Sequence, residues 1–389
     1  MSPIRFHHCL ATRTTLALFV ILYAASLHAQ SFTFEPIAPR IVSPGLEGSG
    51  GAYSAVAEGF DTLSTNPAAL AFVDREWSFA RLACEVSGPL FDIPSVFEAD
   101  DMTTGILDLV KENNGVFIGA NMTGPIAFGK VDRNFGFGVF NRSMTSVNVP
   151  SITKAKLIAG EELLFVGGYG LVLYEKGPHT VSGGLQLKGF FQSFVYEDDT
   201  AIQVLNTFTN FDTNGIPAVL STGFGVDVGT IYRYNKTLSA SISCKDLYTP
   251  VFSTRYANYG DFLKGDPDSD TDYDRLTPNL TLGTAYEIPL PVHWTTITRW
   301  NVMLDWRDAL SVFRTVHRNT ILNFAIGSEV ELLDIVYFRA GIRDAYLSAG
   351  LGLDLNAFKI DFAMYGTELG LEPGDRPLLN IALSTAFQY

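Results

Sequence analysis

The feature that most constrains this chain is a strict two-residue alternation that runs to its last residue. Leu379, Ile381, Leu383, Thr385, Phe387 and Tyr389 fall on one face, and Asn380, Ala382, Ser384, Ala386 and Gln388 fall on the other. One greasy face and one small, polar face is the signature of a strand with an apolar medium on one side and a wet interior on the other. The pattern recurs upstream. Val336, Phe338, Ala340 and Ile342 oppose Tyr337, Arg339, Gly341 and Arg343; Trp300, Val302, Leu304 and Trp306 oppose Asn301, Met303, Asp305 and Arg307; Phe135, Phe137 and Val139 oppose Gly136 and Gly138. No stretch after residue 30 has the ~20 apolar residues a spanning helix needs. With 35 Gly, 29 Phe and 16 Tyr against 17% charged residues, the apolar surface must sit on short alternating segments.

These segments predict strands at 76–87, 115–130, 134–148, 161–174, 178–196, 219–234, 237–247, 276–288, 297–308, 319–331, 334–343, 345–355, 357–366 and 377–389. Fourteen is the expected count, with twelve as the alternative. The expected fold is all-β: an antiparallel transmembrane β-barrel over residues 76–389, with a plug at its N-terminus. The connections support it. Those after even-numbered strands are mostly short: Val131-Asp132-Arg133, Glu175-Lys176-Gly177, Asn235-Lys236, Leu332-Leu333 and Asn356. Those after odd-numbered strands are mostly long: 88–114, 149–160, 197–218 and 248–275. Short turns on one rim and long loops on the other are the habit of outer-membrane barrels. Pro289 to Thr296 is long for a turn, and Asp344 is a tight joint where a loop is due.

Residues 1–29 read as a cleaved export signal: Arg5 and Arg13, then an apolar run from Leu16 to Ala25, then Leu27-His28-Ala29. Its removal takes two positive charges and no negative ones, so the formal charge goes from −14 to −16. An acidic chain is a poor partner for nucleic acid. Cys84 and Cys244 remain and form neither a disulfide framework nor a metal-ligand pattern. Export and a barrel together point to the bacterial outer membrane, with lipid around the wall and a monomer as the expected state.

Residues 30–75 do not alternate. Small residues from Pro39 to Phe60 lead into Asp61-Thr62-Leu63-Ser64-Thr65-Asn66-Pro67-Ala68-Ala69-Leu70-Ala71. Asn before Pro favours a turn in which the Asn side chain bonds nearby backbone. Leu63, Ala68 to Phe72 and Val73 need burial, which favours a plug over a loose arm. Gly50-Gly51-Ala52-Tyr53-Ser54-Ala55-Val56-Ala57 followed by Thr62 to Leu70 resembles the hatch signature of FadL-like long-chain fatty-acid channels, with Asn66-Pro67-Ala68 in the place of that family's Asn-Pro-Ala motif. Hydrocarbon channels and the PorV-like barrels of protein secretion carry the same signature. The resemblance implies a fourteen-stranded barrel plugged by its N-terminus. It also implies capture of a hydrophobic molecule on outside loops, passage into the barrel and sideways release. The terminal aromatic Tyr389 resembles the signal read by the outer-membrane assembly machinery.

Several residues can host those steps. Ile202, Leu205, Phe208 and Phe211 recur at near-helical spacing in one loop; Val251, Phe252, Tyr256, Tyr259, Phe262 and Leu263 cluster in another. They form either a greasy groove or a cap packed on itself. Lys188, Arg307, Arg339 and Arg343 point inward, either toward a ligand carboxylate or into ion pairs with Asp227, Asp305, Glu329 and Asp354. Pro125 lacks a donor within strand two, and Gly136 and Gly138 follow in strand three, so a lateral gap is expected there. The acidic run Asp266, Asp268, Asp270, Asp272 and Asp274 departs from the calcium-loop pattern, so no metal is expected. His179, His293 and His317 have no catalytic constellation around them, and no phosphate loop is present, so neither an enzyme nor a cofactor is expected. The function expected is uptake of long-chain fatty acids or similar hydrophobic molecules. The alternative is a PorV-like barrel that binds exported proteins.

Overall fold

The computed structural model describes residues 35–389 apart from 92–109, 111–114, 152, 210–215, 236, 269–270, 292–293 and 316. The expected signal lies outside the described residues. The strands are β1 (Glu76–Gly88), β2 (Val116–Asp132), β3 (Phe135–Ser151), β4 (Lys154–Lys176), β5 (His179–Asp199), β6 (Ala218–Tyr234), β7 (Leu238–Tyr248) and β8 (Pro250–Tyr256). They continue as β9 (Asp272–Arg275), β10 (Asn279–Glu287), β11 (Ile297–Trp306), β12 (Phe324–Leu332), β13 (Val336–Arg343), β14 (Tyr346–Asp354), β15 (Phe358–Glu368) and β16 (Pro377–Gln388). Every pairing is antiparallel, and β16 pairs with β1 from Gly88↔Leu379 to Ser78↔Gln388, which closes the sheet.

The wall has fourteen strands because β8 and β9 prolong other strands. After Thr249, β8 follows β7 along the same edge of β6, and β9 extends β10 in the same way. The Leu276 N–H donates to the Thr249 carbonyl at 2.9 Å, so the two breaks lie side by side.

Three sequence boundaries are corrected. Residues 149–160 are not a loop: β3 and β4 run on to a tight hairpin at Ser151↔Lys154. The apolar alternation fades there because the outward face turns polar, as in the exposed Ser143 hydroxyl that donates to Glu161 at 2.6 Å. Residues 248–275 contain β8, β9 and a short helix. Residues 320–323 form a 3-10 helix capped by Asn319 before β12 begins at Phe324.

The outward positions carry the grease. Phe128, Phe165, Leu187, Phe224, Ile242, Leu304, Phe338, Leu351 and Leu383 are exposed, while Ala127, Val166, Glu329, Arg339 and Ser384 on the other face are buried. Near the rim where β1 begins and β16 ends, Trp77 stacks on Phe79 at 5.7 Å and Phe358 meets Phe387 at 5.1 Å. An apolar band edged by aromatic rings is the outer surface of a lipid-immersed barrel.

Inside the wall lies the segment 35–75. It contains a short helix, α1 (Pro44–Gly48), and 3-10 helices at Gly59–Ser64 and Pro67–Ala71. Phe338 faces outward between Val330 and Leu351. Phe338→Arg should destabilise the folded barrel by about 2–4 kcal/mol, read as a lower urea midpoint for unfolding from lipid vesicles. An unchanged midpoint would mean that this face is not in lipid.

Candidate functional site

The interior is organised around Asn66. Its backbone is extended, and its side-chain oxygen accepts from the Ala68 N–H at 3.0 Å, capping the 3-10 helix that starts at Pro67. Its amide donates to the carbonyls of Ser54 at 3.2 Å and of Thr230 in β6 at 3.4 Å. Asn66 is fully buried. Thus one side chain ties two parts of the segment to the wall.

The wall makes room with small residues. A Cβ on Gly229 would sit 2.0 Å from the Asn66 oxygen, and one on Gly184 would sit 2.3 Å from Pro67. Gly136 and Gly168 accommodate Leu70, and Gly138 lies against Leu63. Opposite, Gly50 and Gly51 take left-handed φ angles of +70° and +72°, which L side chains rarely adopt. A Cβ on Gly50 would also lie 2.7 Å from the Ile326 carbonyl and 2.9 Å from that of Ile342. The doubled glycine therefore lets the chain turn flat against β12 and β13.

Charged anchors complete the hold. The buried Asp305 carboxylate accepts from the Tyr53 N–H at 3.1 Å, the Ser54 N–H at 3.0 Å and the Ser54 hydroxyl at 2.9 Å. Arg40 donates to both oxygens of Glu85, at 3.0 and 2.8 Å, and to Glu47 at 2.8 Å. Burial opposes the Arg40 charge, yet Glu85 and Tyr365 hold its pKa above the ordinary arginine value. Burial, then Glu329, pushes the Tyr53 phenol well up, so it stays neutral.

Of the two uses open to the four inward cations, ligand contact or internal ion pairs, the structure shows ion pairs with the protein's own acids. Lys188 bridges Asp227 at 2.9 Å and Asp246 at 2.8 Å, and Arg307 pairs with Asp344 at 2.8 Å. Arg339 meets Glu329 at 2.7 Å and Asp361 at 2.6 Å, while Arg343 pairs with Glu47 of the segment. They do not converge on one point.

The apolar loop residues also separate. Helix α2 (Ala201–Thr209) buries Ala201 and Val204 with Val149 and Leu157 and leaves Ile202 exposed. The side chains of Leu205 and Phe208, and all of Phe211, lie outside the described residues. Helix α3 (Tyr259–Lys264) packs Phe262 against Tyr256 at 5.3 Å, beside Val195 and Ile216, with Leu263 exposed. Val251 is buried inside, whereas Phe252 faces outward against Tyr273 at 5.6 Å. The described parts of the two loops thus cap different arcs of the wall. Among the described residues, no group of three or more His, Cys, Asp or Glu side chains is placed to hold a metal ion.

Sequence reasoning missed two features. One is an apolar cluster in the interior. Phe140, Leu164, Phe190, Val251 and Leu276 pack with Phe60, Leu63 and Leu70 of the segment, beside the buried pairs Arg142–Glu162 and Lys188–Asp227, and further ion pairs lie around β11 to β15. The inward parity of Phe140, next to Gly136 and Gly138, was the available signal. The other is the β1 side of the irregularity expected at Pro125. Between Ser78↔Gly129 and Ala83↔Thr123 the β1–β2 ladder has no register, and β1 shifts against β16 at the same height. Across β2–β3, Thr123↔Arg142 is followed by Ala127↔Phe140, so Gly124, Pro125 and Ile126 face Asn141 alone. The Asn141 side chain accepts the freed Ile126 N–H at 2.9 Å. Pro125 is therefore at the irregularity, whereas Gly136 and Gly138 lie in a regular ladder.

No family model matches the sequence, and no curated protein matches it. In structure, the chain is similar to the Pseudomonas putida toluene transporter TodX, at 13% identity over 88% of this chain and 96% of that one, with a TM-score of 0.45. It is similar to the monoaromatic hydrocarbon channel CymD at 13% identity, over 89% and 97%, with a TM-score of 0.47. It is also similar to a Pseudomonas aeruginosa FadL homologue at 12% identity, over 87% and 96%, with a TM-score of 0.43.

Asn66→Ala leaves buried backbone groups unpaired, at a cost of about 1–3 kcal/mol each. It should speed hydrogen exchange across residues 50–71 while the heat-modifiable gel mobility of the barrel stays that of the parent. Loss of that mobility would mean that the segment is needed for the barrel to form.

Proposed function

We propose that the chain is an outer-membrane channel for long-chain fatty acids or similar hydrophobic molecules, with residues 30–75 as its hatch. In this reading residues 1–29 are removed on export and Tyr389 directs assembly of a monomeric barrel. The rim where β1 begins then faces the periplasm. The protein is not an enzyme. The cargo class rests on the sequence resemblance around Asn66.

One observation carries the reading: the apolar cluster of the interior leads to the irregular stretch of the wall. Phe60 belongs to the cluster of Phe140, Leu164 and Phe190, and its ring lies 2.9 Å from where a Cβ on Gly129 would be, beside the unpaired stretch of β1 and β2. A hydrophobic molecule that displaced the hatch on this side would meet grease up to the irregular stretch, where β1 and β2 would have to part.

A latch holds that stretch. The bulge at Ala80, with φ +48°, turns Arg81 inward. Its guanidinium donates to the Val42 carbonyl at 3.4 Å and lies 3.8 Å from the Asp61 carboxylate, both in the hatch. Asp61 in turn accepts from Ser43 at 2.8 Å. Hatch and wall are thereby joined at the point of exit.

Cells that lack their own channel should take up radiolabelled oleate when they express this chain. Absence of uptake after confirmed insertion would remove the proposal and favour a PorV-like role in binding exported proteins. Arg81→Ala should raise the initial uptake rate roughly two- to five-fold, by removing an interaction worth ~0.5–1 kcal/mol. An unchanged rate would mean that Arg81 does not restrain the exit.

A further inference from the structure

Two polar cavities, of 620 and 520 Å³, open at the rim of short turns and share Glu58, Phe72, Val73, Asp74, Arg233 and Arg299 in their walls. Four of the arginines around the larger one are spoken for. Arg75 pairs with Asp132 at 3.2 Å, Arg81 with Asp61 at 3.8 Å, Arg299 with Glu331 at 2.9 Å and Arg339 with Asp361 at 2.6 Å.

Arg233, near the end of β6, differs. Among the described residues it makes no ion pair and no side-chain hydrogen bond, and its Nε is buried without a partner. Its guanidinium lies flat over the Phe72 ring, 3.8 Å from the centroid. Phe72 terminates the 3-10 helix that Asn66 caps, so the ring is fixed by the most buried part of the segment.

A guanidinium stacked on a ring keeps its edge donors free, and those donors match the two oxygens of a carboxylate. The smaller cavity adds Arg133 from the β2–β3 turn and an apolar floor of Val56, Ala71, Phe72, Val73 and Ala285. Asp74 and Glu287 line it too. With Glu58 and Arg299, three acids face three arginines, a balance that disfavours a multiply charged anion. A singly charged head with a short apolar body meets both demands.

We infer that Arg233, laid on Phe72, is a binding site for monocarboxylates at the short-turn rim. The carboxylate lies edge-on to the guanidinium and the hydrocarbon lies along Val73 and Ala285. The site does not depend on the channel reading: a chain that bound monocarboxylates here but took up no oleate would lose the proposed function and keep the site.

The probe is hexanoate, titrated by calorimetry into the full chain in detergent, with hexanol and inorganic phosphate as comparisons. Hexanoate should bind saturably, hexanol should not, and phosphate should not compete. Arg233→Gln should weaken hexanoate at least ten-fold while the heat-modifiable gel mobility is retained. Equal binding by parent and variant would overturn the site, and full competition by phosphate would overturn the monocarboxylate class. If Arg233→Gln does not fold, Phe72→Leu, which keeps an apolar residue but removes the stack, should weaken hexanoate several-fold. Unchanged affinity there would equally overturn the site.

Discussion

Everything in this molecule depends on the pairing of β1 with β16. A sheet with a greasy outer face can sit in hydrocarbon only if no backbone group on its edges is left unpaired, because each such group costs several kcal/mol in that medium. The ladder from Gly88↔Leu379 to Ser78↔Gln388, with Trp77 and Tyr389 exchanging backbone bonds just beyond it at 2.8 and 2.9 Å, removes the edges. Closing fourteen strands makes a ring wider than side chains alone can fill. Part of the chain has to enter, and the inward glycines of β3 to β6 and β12 to β14 are the space into which residues 35–75 fit.

The filled interior then has to manage its charges. Burying an ion pair gains little over an apolar packing, whereas removing one partner strands a buried charge. The Lys188–Asp227–Asp246 and Glu329–Arg339–Asp361 groups therefore serve geometry more than stability. They hold neighbouring strands at fixed height and occupy Lys188 and Arg339 with the protein's own acids. The paired cations offer no carboxylate site there, and Arg233, unpaired among the described residues, lies at the rim, on Phe72.

Most of the wall was legible because a strand's two faces report its surroundings directly. Where one face met lipid, as in β13, β14 and β16, alternation located the strand within about two residues. It failed where both faces are wet. The outer halves of β3 and β4 lose their apolar outward positions above the membrane, and the prolongations β8 and β9 look like loop for the same reason. Asn66 and Gly50-Gly51 were legible as special positions, since a buried turn needs those residue types. Their partners were not, because Asp305, Thr230 and Gly229 are 150 or more residues away and a contact at that separation leaves no local pattern. The break at Pro125 was half legible: the missing donor was visible, but the matching bulge at Ala80 in β1 carries no Pro or Gly.

The apolar cluster and the charged anchors would bear differently on movement of residues 35–75 in the proposed channel. The segment is held in the cluster by Phe60, Leu63 and Leu70, each worth about 1.5–3 kcal/mol of burial. The anchors are at Glu47, Glu85, Asp305 and Glu329, where losing a partner costs about 3–5 kcal/mol per buried charge. A hydrophobic molecule taking the place of Phe60 or Leu63 restores the burial that their departure forfeits. Nothing it carries restores the three donors around Asp305. The hatch should therefore yield at its apolar cluster and pivot on its charged anchors. That would open the interior toward Gly129 and the unpaired stretch of β1 and β2, which meets the apolar cluster at Phe60, as the breaks beside Thr249 meet it at Val251 and Leu276. The apolar cluster and the charged anchors thus hold the segment by different means.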